Sequence, residues 1–298
     1  MSPSALSFRL FFMNVFAGIA IVLICCFGGY VLQGGSIEVI LHALPGELFV
    51  IGGAAIGALV ISNPGYVLKK FMKAFGHATK GEHHDKQSYL ELLTLLYQVF
   101  KMVKTKGILA IEAHVEKPDE SDFFKKFPHF YADKHAVVFL CDYLRLWTLG
   151  TDNPHEMESL MDEELATHHH EHEIVVDAMQ KTADGLPALG IVAAVLGVIK
   201  TMGSIDQPPV VLGKMIGHAL VGTFLGVFLA YGMAGPLATL LKNIYGAEGK
   251  YYQCIKAGLL AHMHGYAPAI STEFARKALF SHTRPSFYEV EEAVNQMT

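Results

Sequence analysis

Four long apolar stretches constrain this chain more than any other feature of its sequence. They cover about residues 11–32, 44–62, 186–203 and 215–241, and each approaches the ~20 residues that a helix needs to cross a bilayer. With charged residues at 17%, the chain is too apolar for an ordinary soluble protein and too charged to lie wholly in lipid. We therefore expect two membrane hairpins separated by a polar insert.

The distribution of lysine predicts the orientation of these spans. The link at 33–43 has no Lys or Arg and the link at 204–214 has one, whereas Lys69, Lys70 and Lys73 follow the second span closely. Positive residues beside a span stay on the cytoplasmic side. The short links should therefore be periplasmic, and both termini and the insert cytoplasmic, in a multi-pass protein of a bacterial inner membrane.

The insert and the tail carry helical patterns and no long segment of strand period. Leucines recur at helical spacing in 87–106, a second amphipathic helix is predicted at 130–149, and Asn153–Pro154 is typical of the start of a long helix that ends near Gly185 and Pro187. The predicted fold class is an all-α membrane protein with four transmembrane helices in two hairpins, a large helical cytoplasmic insert and a helical cytoplasmic tail. The predicted domains are 1–63, 64–185, 186–242 and 243–298.

Patterns for catalysis, metal binding and nucleic-acid binding are weak. The net charge of −5 argues against a nucleic-acid partner, and neither a Gly-rich phosphate loop nor a nucleophile elbow is found. We expect no enzyme and no cofactor. His168 and His172 are one helical turn apart, as paired metal ligands often are, but no third ligand can be assigned. A solvated helix face is the favoured interpretation, and no metal is predicted.

The interior of the spans lacks the group that an ion-conducting protein usually holds there, an ionisable side chain. The third and fourth spans have no Asp or Glu at mid-depth, and Glu47 is predicted near the periplasmic end of the second. What remains is the hydroxyl of Thr223 and two prolines, Pro187 and Pro236, each of which frees a backbone carbonyl. If this protein conducts an ion, another chain must supply the carboxylate.

Small residues four apart indicate close helix packing in lipid. The spans hold three such pairs: Gly53 and Gly57, Ala193 and Gly197, Gly222 and Gly226.

At these spans the chain resembles the MotA family of flagellar stator subunits. The segment LPALGIVAAVLG at 186–197 looks like the third span of that family, and HALVGTFLG at 218–226 looks like the fourth. LMDEE at 160–164, GYAP at 265–268 and RPSF at 284–287 extend the similarity over nearly the whole chain. The first span is matched only loosely.

The resemblance implies a mechanism and its partners. Members form a homo-oligomeric ring, in contact with membrane lipid, around a pair of MotB-like subunits, each of which carries an ion-binding aspartate. Ion flow moves the ring, and the insert then pushes on the rotor protein FliG. Pro187 and Pro236 match the residues that couple ion binding to shape change, and Thr223 matches the hydroxyl that lines the ion path.

Two further sets of residues carry expectations from the resemblance. Lys104 and Glu112 match the charged pair that engages the rotor, and they would lie ~12 Å apart if the segment between them is helical. The family often has Arg at the first position, so Lys keeps the charge but loses bidentate geometry. Ala194 stands where sodium-driven members place a threonine. Since it offers no side-chain oxygen, the predicted ion is the proton.

Three alternatives stay open at this stage. The chain could be a TolQ- or ExbB-like energy-transducing subunit, although those relatives usually have three spans. It could be a sodium-driven stator subunit. It could also be a metal-binding or scaffolding membrane protein that uses the histidine run.

Overall fold

The computed structural model describes residues 3–80 and 84–297, and these residues form helices and no strand. The α-helices, in chain order, are α1 (Pro3–Leu23), α2 (Gly29–Leu32), α3 (Ile37–Ser62), α4 (Gly65–Lys80), α5 (Lys86–Lys106), α6 (Glu112–Glu116), α7 (Pro128–Ala132), α8 (Lys134–Thr148), α9 (Pro154–Met202), α10 (Pro209–Leu229), α11 (Gly235–Met263), α12 (Pro268–Lys277) and α13 (Phe287–Gln296). Short π-helical segments at Ile24–Gly28 and Ala230–Ala234 join α1 to α2 and α10 to α11.

Four helical stretches are long and apolar enough to cross a membrane: Met13–Leu32, Ile37–Ser62, Pro154–Met202 and Pro209–Met263. This confirms the all-helical fold with four candidate spans. The chain separates into two compact units. The membrane unit comprises the described residues of 3–80 and 171–243, and the insert–tail unit comprises 84–170 and 244–297. The four-domain division stays a prediction.

Several predicted helix boundaries differ from those in the structure. The second span begins at Ile37, before the predicted residue 44, because Ile40 and Ala43 are buried against Val221 and extend the packed face. The long helix α9 passes through Pro187 without a break. Its neighbour Leu186 is buried in an apolar cluster with Leu225, and such packing holds a proline-containing helix in a membrane.

The predicted helix at 130–149 is divided at Asp133. Its carboxylate Oδ1 accepts hydrogen bonds from the backbone N–H groups of His135 and Ala136, both at 3.1 Å, and so caps α8. The preceding helix α7 starts where the backbone N–H of Phe130 donates to Glu91 Oε1 at 3.0 Å. An acidic cap in the middle of an apolar pattern therefore makes two helices from one.

The insert–tail unit is built around a large aromatic and aliphatic core. Fully buried side chains of α5, α8 and α11 meet there, among them Leu92, Phe100, Leu140 and Tyr251. The fourth apolar stretch was expected to end at residue 241, but α11 continues to Met263 because residues such as Ile255 contribute to this core at helical spacing.

Candidate functional site

The two helices that carry the predicted ion path pack backbone to backbone. A Cβ atom placed on Gly226 of α10 would lie 2.6 Å from the carbonyl oxygen of Leu186 and 2.8 Å from the Cα atom of Gly190. One placed on Gly197 would lie 2.7 Å from the Cβ atom of Ala219. Only glycine permits such an approach, which is the usual way that helices associate in lipid.

Not every predicted small-residue pair lies at this contact. Ala193, Gly197, Gly222 and Gly226 do, but Gly53 and Gly57 of α3 meet open space in the described part of the chain. Spacing alone identified the pairs, and it could not tell which of them faces a neighbouring helix.

Thr223 and Ala194 lie beside the same helix contact. Gly222 immediately precedes Thr223, and a Cβ atom on Gly222 would lie 3.1 Å from the backbone nitrogen of Ala194. Both Thr223 and Ala194 are half-buried. The structure thus brings the two positions to one level of the α9–α10 pair, where the only side-chain oxygen of the two is the threonine hydroxyl.

The two prolines occupy different local environments. Pro187 is half-buried inside α9, whereas Pro236 is exposed and follows the π-helical segment Ala230–Ala234. Since Pro236 has no N–H and its ring displaces the preceding turn, the N–H of Gly235 donates to Ala230, five residues back. Such π-helical turns are frequent at functional sites. Leu186, beside Pro187, shares a buried cluster with Ala230, so each proline borders the same packed region.

Glu47 is a site residue whose surroundings the sequence did not reveal. It lies inside α3, and its Oε2 atom is buried without a hydrogen-bond partner among the described residues. A Cβ atom on Gly222 would lie 2.5 Å from that oxygen. The predicted location near a helix end came from placing the start of the span at residue 44, and the earlier start of α3 moves Glu47 into the helix.

Lys104 and Glu112 are both exposed, but they do not share a helix. Lys104 lies in the last turn of α5, and Gly107, with φ of +83°, follows that helix directly. The 3-10 turn Ile108–Ile111 comes next, and Glu112 begins α6. The distance that a single helix would give therefore does not apply to this pair. A positive φ favours glycine, and Gly107 turns the chain between the two charges.

Neighbouring side chains fix the two segments that present these charges. Arg145 of α8 donates to Glu116 Oε1 at 2.8 Å and to the backbone oxygen of Val115 at 3.2 Å, which anchors α6. Near Lys104, the ring of His262 stacks on Phe100 with centroids 4.7 Å apart. Burial lowers the pKa of His262, and the charge of Lys104 acts in the same direction. Lys104 and Lys106 are the basic residues of the last turn of α5.

The histidine run does not form a metal site within the described residues, where no three or more His, Cys, Asp or Glu side chains converge. The ring of His168 packs instead against Tyr252, with centroids 5.1 Å apart.

Comparison with known proteins places this arrangement in a family. Residues 16–107 match the family described as motility protein A N-terminal, and residues 135–253 match the MotA/TolQ/ExbB proton channel family. Motility protein A of Salmonella typhimurium strain LT2 is 43% identical over 282 residues, which cover 95% of each chain.

Two solved structures share the fold. The structure of C. jejuni MotAB has a TM-score of 0.75 at 19% identity and covers 92% of this chain and 98% of that one. The flagellar MotAB stator complex from Bacillus subtilis has a TM-score of 0.70 at 26% identity, over 87% and 92%. The resemblance is thereby confirmed. The chain is a membrane protein that belongs to the motility protein A family, within the MotA/TolQ/ExbB proton channel proteins.

Proposed function

We propose that this chain is the stator subunit that conducts protons together with a MotB-like partner and turns the flagellar rotor. The observation that carries this proposal is 43% identity to a motility protein A along 95% of the chain. The two similar solved structures are MotAB complexes, which supports a MotB-like partner and an oligomeric stator. No enzymatic activity is proposed.

The exposed surface of the ion-path helices supports assembly with other chains. Large apolar side chains are exposed on α10 (Leu220 and Phe224), on the π-helical segment that follows it (Tyr231) and on α9 (Val195 and Ile199). In a membrane protein such faces are covered by lipid or by other helices. We assign them to neighbouring copies in a ring, to the partner helix that carries the ion-binding aspartate, and to lipid.

The proton is the proposed ion. Thr223 offers one hydroxyl per subunit and Ala194 offers none, while sodium prefers several oxygen ligands. Pro187 and Pro236 are proposed to transmit ion binding to the helix backbone, because both border the cluster that holds Leu186 and Ala230. In Pro187→Leu the protein should remain inserted in the membrane while torque is largely lost, which tethered-cell rotation would measure.

Lys104 and Glu112 are proposed to contact FliG from the surface around Gly107. Neither side chain forms an ion pair within the described residues. Lys104→Glu should weaken motility, and a charge reversal on the rotor should partly restore it. Lys126→Glu, an exposed lysine elsewhere in the insert, is the matched control. If no charge reversal of an acidic FliG residue restored motility to Lys104→Glu, the proposal that Lys104 contacts FliG directly would be wrong.

The proposed location is the inner membrane of a bacterium, with both termini cytoplasmic. Cysteine labelling of the two short links, 33–36 and 203–208, from the periplasmic side would test that orientation.

The deciding experiment is the swimming speed of cells that express this chain with its partner in sodium-free medium, with and without a protonophore. Swimming that continues without sodium and stops with the protonophore is the expected result. If swimming required sodium, the assignment as a stator subunit would stand, but the prediction that the ion is the proton would be wrong. If deletion of the chain left motility unchanged, a TolQ- or ExbB-like role would replace it. Motility after joint replacement of His168, His169, His170 and His172 would eliminate a metal role in torque.

A further inference from the structure

The buried face of α3 is an apolar stripe interrupted by one carboxylate. Ile40, Ala43, Ile51 and Ala55 are buried against α9 and α10 with partners such as Val221 and Leu225. Glu47 stands one turn after Ala43 and one turn before Ile51, so it projects from the same face. The helix also carries Glu38, whose carboxylate pairs with His42 at 3.6 Å and is exposed. Glu38 is thus a solvated carboxylate with a nearby partner. Glu47 differs because its Oε2 atom is buried and has no hydrogen-bond partner among the described residues.

The space for this carboxylate comes from a glycine on the opposing helix. Because a Cβ atom on Gly222 would meet Glu47 Oε2 at 2.5 Å, any larger residue there would displace the acid. The buried Oε2 atom finds no hydrogen-bond partner among the described residues. An acid in a purely structural role would be expected to have donors, since leaving a buried polar group without a partner destabilises the fold.

Distances along three helices favour a position for Glu47 inside the bilayer. It lies ten residues from Ile37, about 15 Å along α3. On α9 its neighbour Ala193 lies nine residues from Met202, about 14 Å, and on α10 Gly222 lies thirteen residues from Pro209, about 20 Å. These ends flank the two short links. A hydrocarbon core ~30 Å thick puts this level in its interior, where ionisable residues usually mark ion pathways.

In the part of the chain that the structure describes, α9 and α10 bring no titratable group to this level. The residues of 190–197 on α9 and 219–226 on α10 include none, and His218 and Lys200 lie nearer the short links. In the described part of the first span, residues 13–32, the titratable side chains are Cys25, Cys26 and Tyr30. Among the described residues, Glu47 is thus the only carboxylate at the level of Thr223 and Ala194.

We propose that Glu47 is a proton-binding site in the ion path, provided by this chain in addition to the carboxylate of its partner. The carboxylate takes a proton from hydronium on the side of the short links and releases water. It then returns the proton to water at the level of Thr223, which regenerates the carboxylate. This inference rests on the proposed function, because it assigns a residue to the proton path of that stator.

The test compares wild type with Glu47→Gln, which keeps the shape and removes the exchangeable proton, and Glu47→Asp, which keeps the acid. Glu38→Gln, an exposed carboxylate on the same helix, is the matched control. Zero-load rotation speed is measured against external pH. In parallel, difference infrared spectroscopy on the full chain in lipid nanodiscs follows the carbonyl stretch of a protonated carboxylic acid as pH changes.

We expect Glu47→Gln to assemble, rotate more slowly, lose part of the pH dependence of speed and lose one pH-sensitive carboxylic acid band. Glu47→Asp should restore the pH dependence and give a shifted band, and Glu38→Gln should match wild type. Unchanged speed and pH profile in Glu47→Gln would overturn the proposal. If Glu47→Gln did not assemble, the spectra of wild type and Glu47→Asp would decide, and a band that does not respond to pH would overturn it.

The two readouts separate this inference from the proposed function. If wild type failed to rotate on a proton gradient, the stator assignment would fail, but the infrared titration would still report whether Glu47 exchanges protons. If wild type rotated and the band were absent, only the role of Glu47 would be wrong.

Discussion

The two units of this chain are both helical, but they are held together in opposite ways. The insert–tail unit buries large side chains in one continuous core, including Tyr89, Phe100 and Tyr143. The membrane unit buries smaller apolar clusters, such as those around Ile51 and Val221, and exposes many of its large side chains, with Phe49 at 83% and Ile61 at 89%. Its helices approach each other through glycine instead.

The solvent of each unit accounts for the difference. In water, burying aromatic and aliphatic surface contributes roughly 25 cal/mol per Å². In lipid, apolar side chains gain little by leaving the hydrocarbon, so close backbone contact and dispersion must hold helices together. The same residue types therefore have opposite roles, and substitutions should have opposite effects in the two units.

The largest expected effect comes from adding one methyl group at the glycine contact. Gly226→Ala would bring a Cβ atom to 2.6 Å from the carbonyl oxygen of Leu186, and neither backbone can move aside without separating α9 from α10. We expect little or no motility, measured as swarm diameter at matched amounts of membrane-inserted protein.

Gly213→Ala on the same helix is the control, because a Cβ atom there meets open space. If Gly226→Ala swam as well as Gly213→Ala, the idea that glycine packing holds the membrane unit would be untenable.

The opposite substitution, large to small, should matter most in the insert–tail unit. Phe100 is fully buried, and Phe100→Ala should cost about 3–5 kcal/mol through lost transfer energy and the cavity it leaves. Phe49→Ala in the membrane unit leaves no cavity, because that side chain is exposed. Hydrogen exchange of both units in nanodiscs measures the free energy of opening. Equal losses of this free energy in the two variants would contradict the claim that large side chains stabilise the insert–tail unit more than the membrane unit.

Stability of the insert–tail unit should also depend on pH through Glu248, which lies beyond the apolar part of the fourth span. Burial, with a smaller effect of Asp133, raises the pKa of Glu248 to about 7 from 4.5. The folded unit therefore binds more protons than the unfolded chain between these values. Stability should fall as pH rises from 4.5 to 7, by up to about 1.4 kcal/mol per pH unit.

Glu248→Gln should flatten that slope, and Glu291→Gln, which alters an exposed acid, should leave it unchanged. Hydrogen exchange in the tail at several pH values tests both. A slope of the opposite sign in wild type would mean that Glu248 is ionised in the folded unit.

Sequence patterns predicted the membrane unit well at the level of helices, because a span of apolar residues has a length set by the bilayer. They failed at boundaries where tertiary packing decides. Pro187 was predicted to end a helix, yet α9 continues through it because neighbouring helices pack against that segment. Asp133 looked like part of a helix, yet its carboxylate caps a new one.

The candidate site was predictable only in part, for the same reason. Periodicity and family resemblance located Thr223, Ala194 and the two prolines along the helices. No pattern could show that Glu47 faces Gly222, because this requires the register between α3 and α10, which depends on where α3 begins. The separation of Lys104 from Glu112 likewise depends on Gly107, whose positive φ places the two residues on different helices.

The smallest expected effect is one that both units should share. Lys70 Nζ lies 2.8 Å from Glu171 in the membrane unit, and Lys86 Nζ lies 2.7 Å from Glu289 in the insert–tail unit. All four side chains are substantially exposed, so water screens both pairs. Lys70→Met should cost no more than about 1 kcal/mol by hydrogen exchange, and Lys86→Met should also have a small effect. A clearly larger loss for Lys70→Met would mean that charge pairing, in addition to glycine contacts, holds α4 to α9.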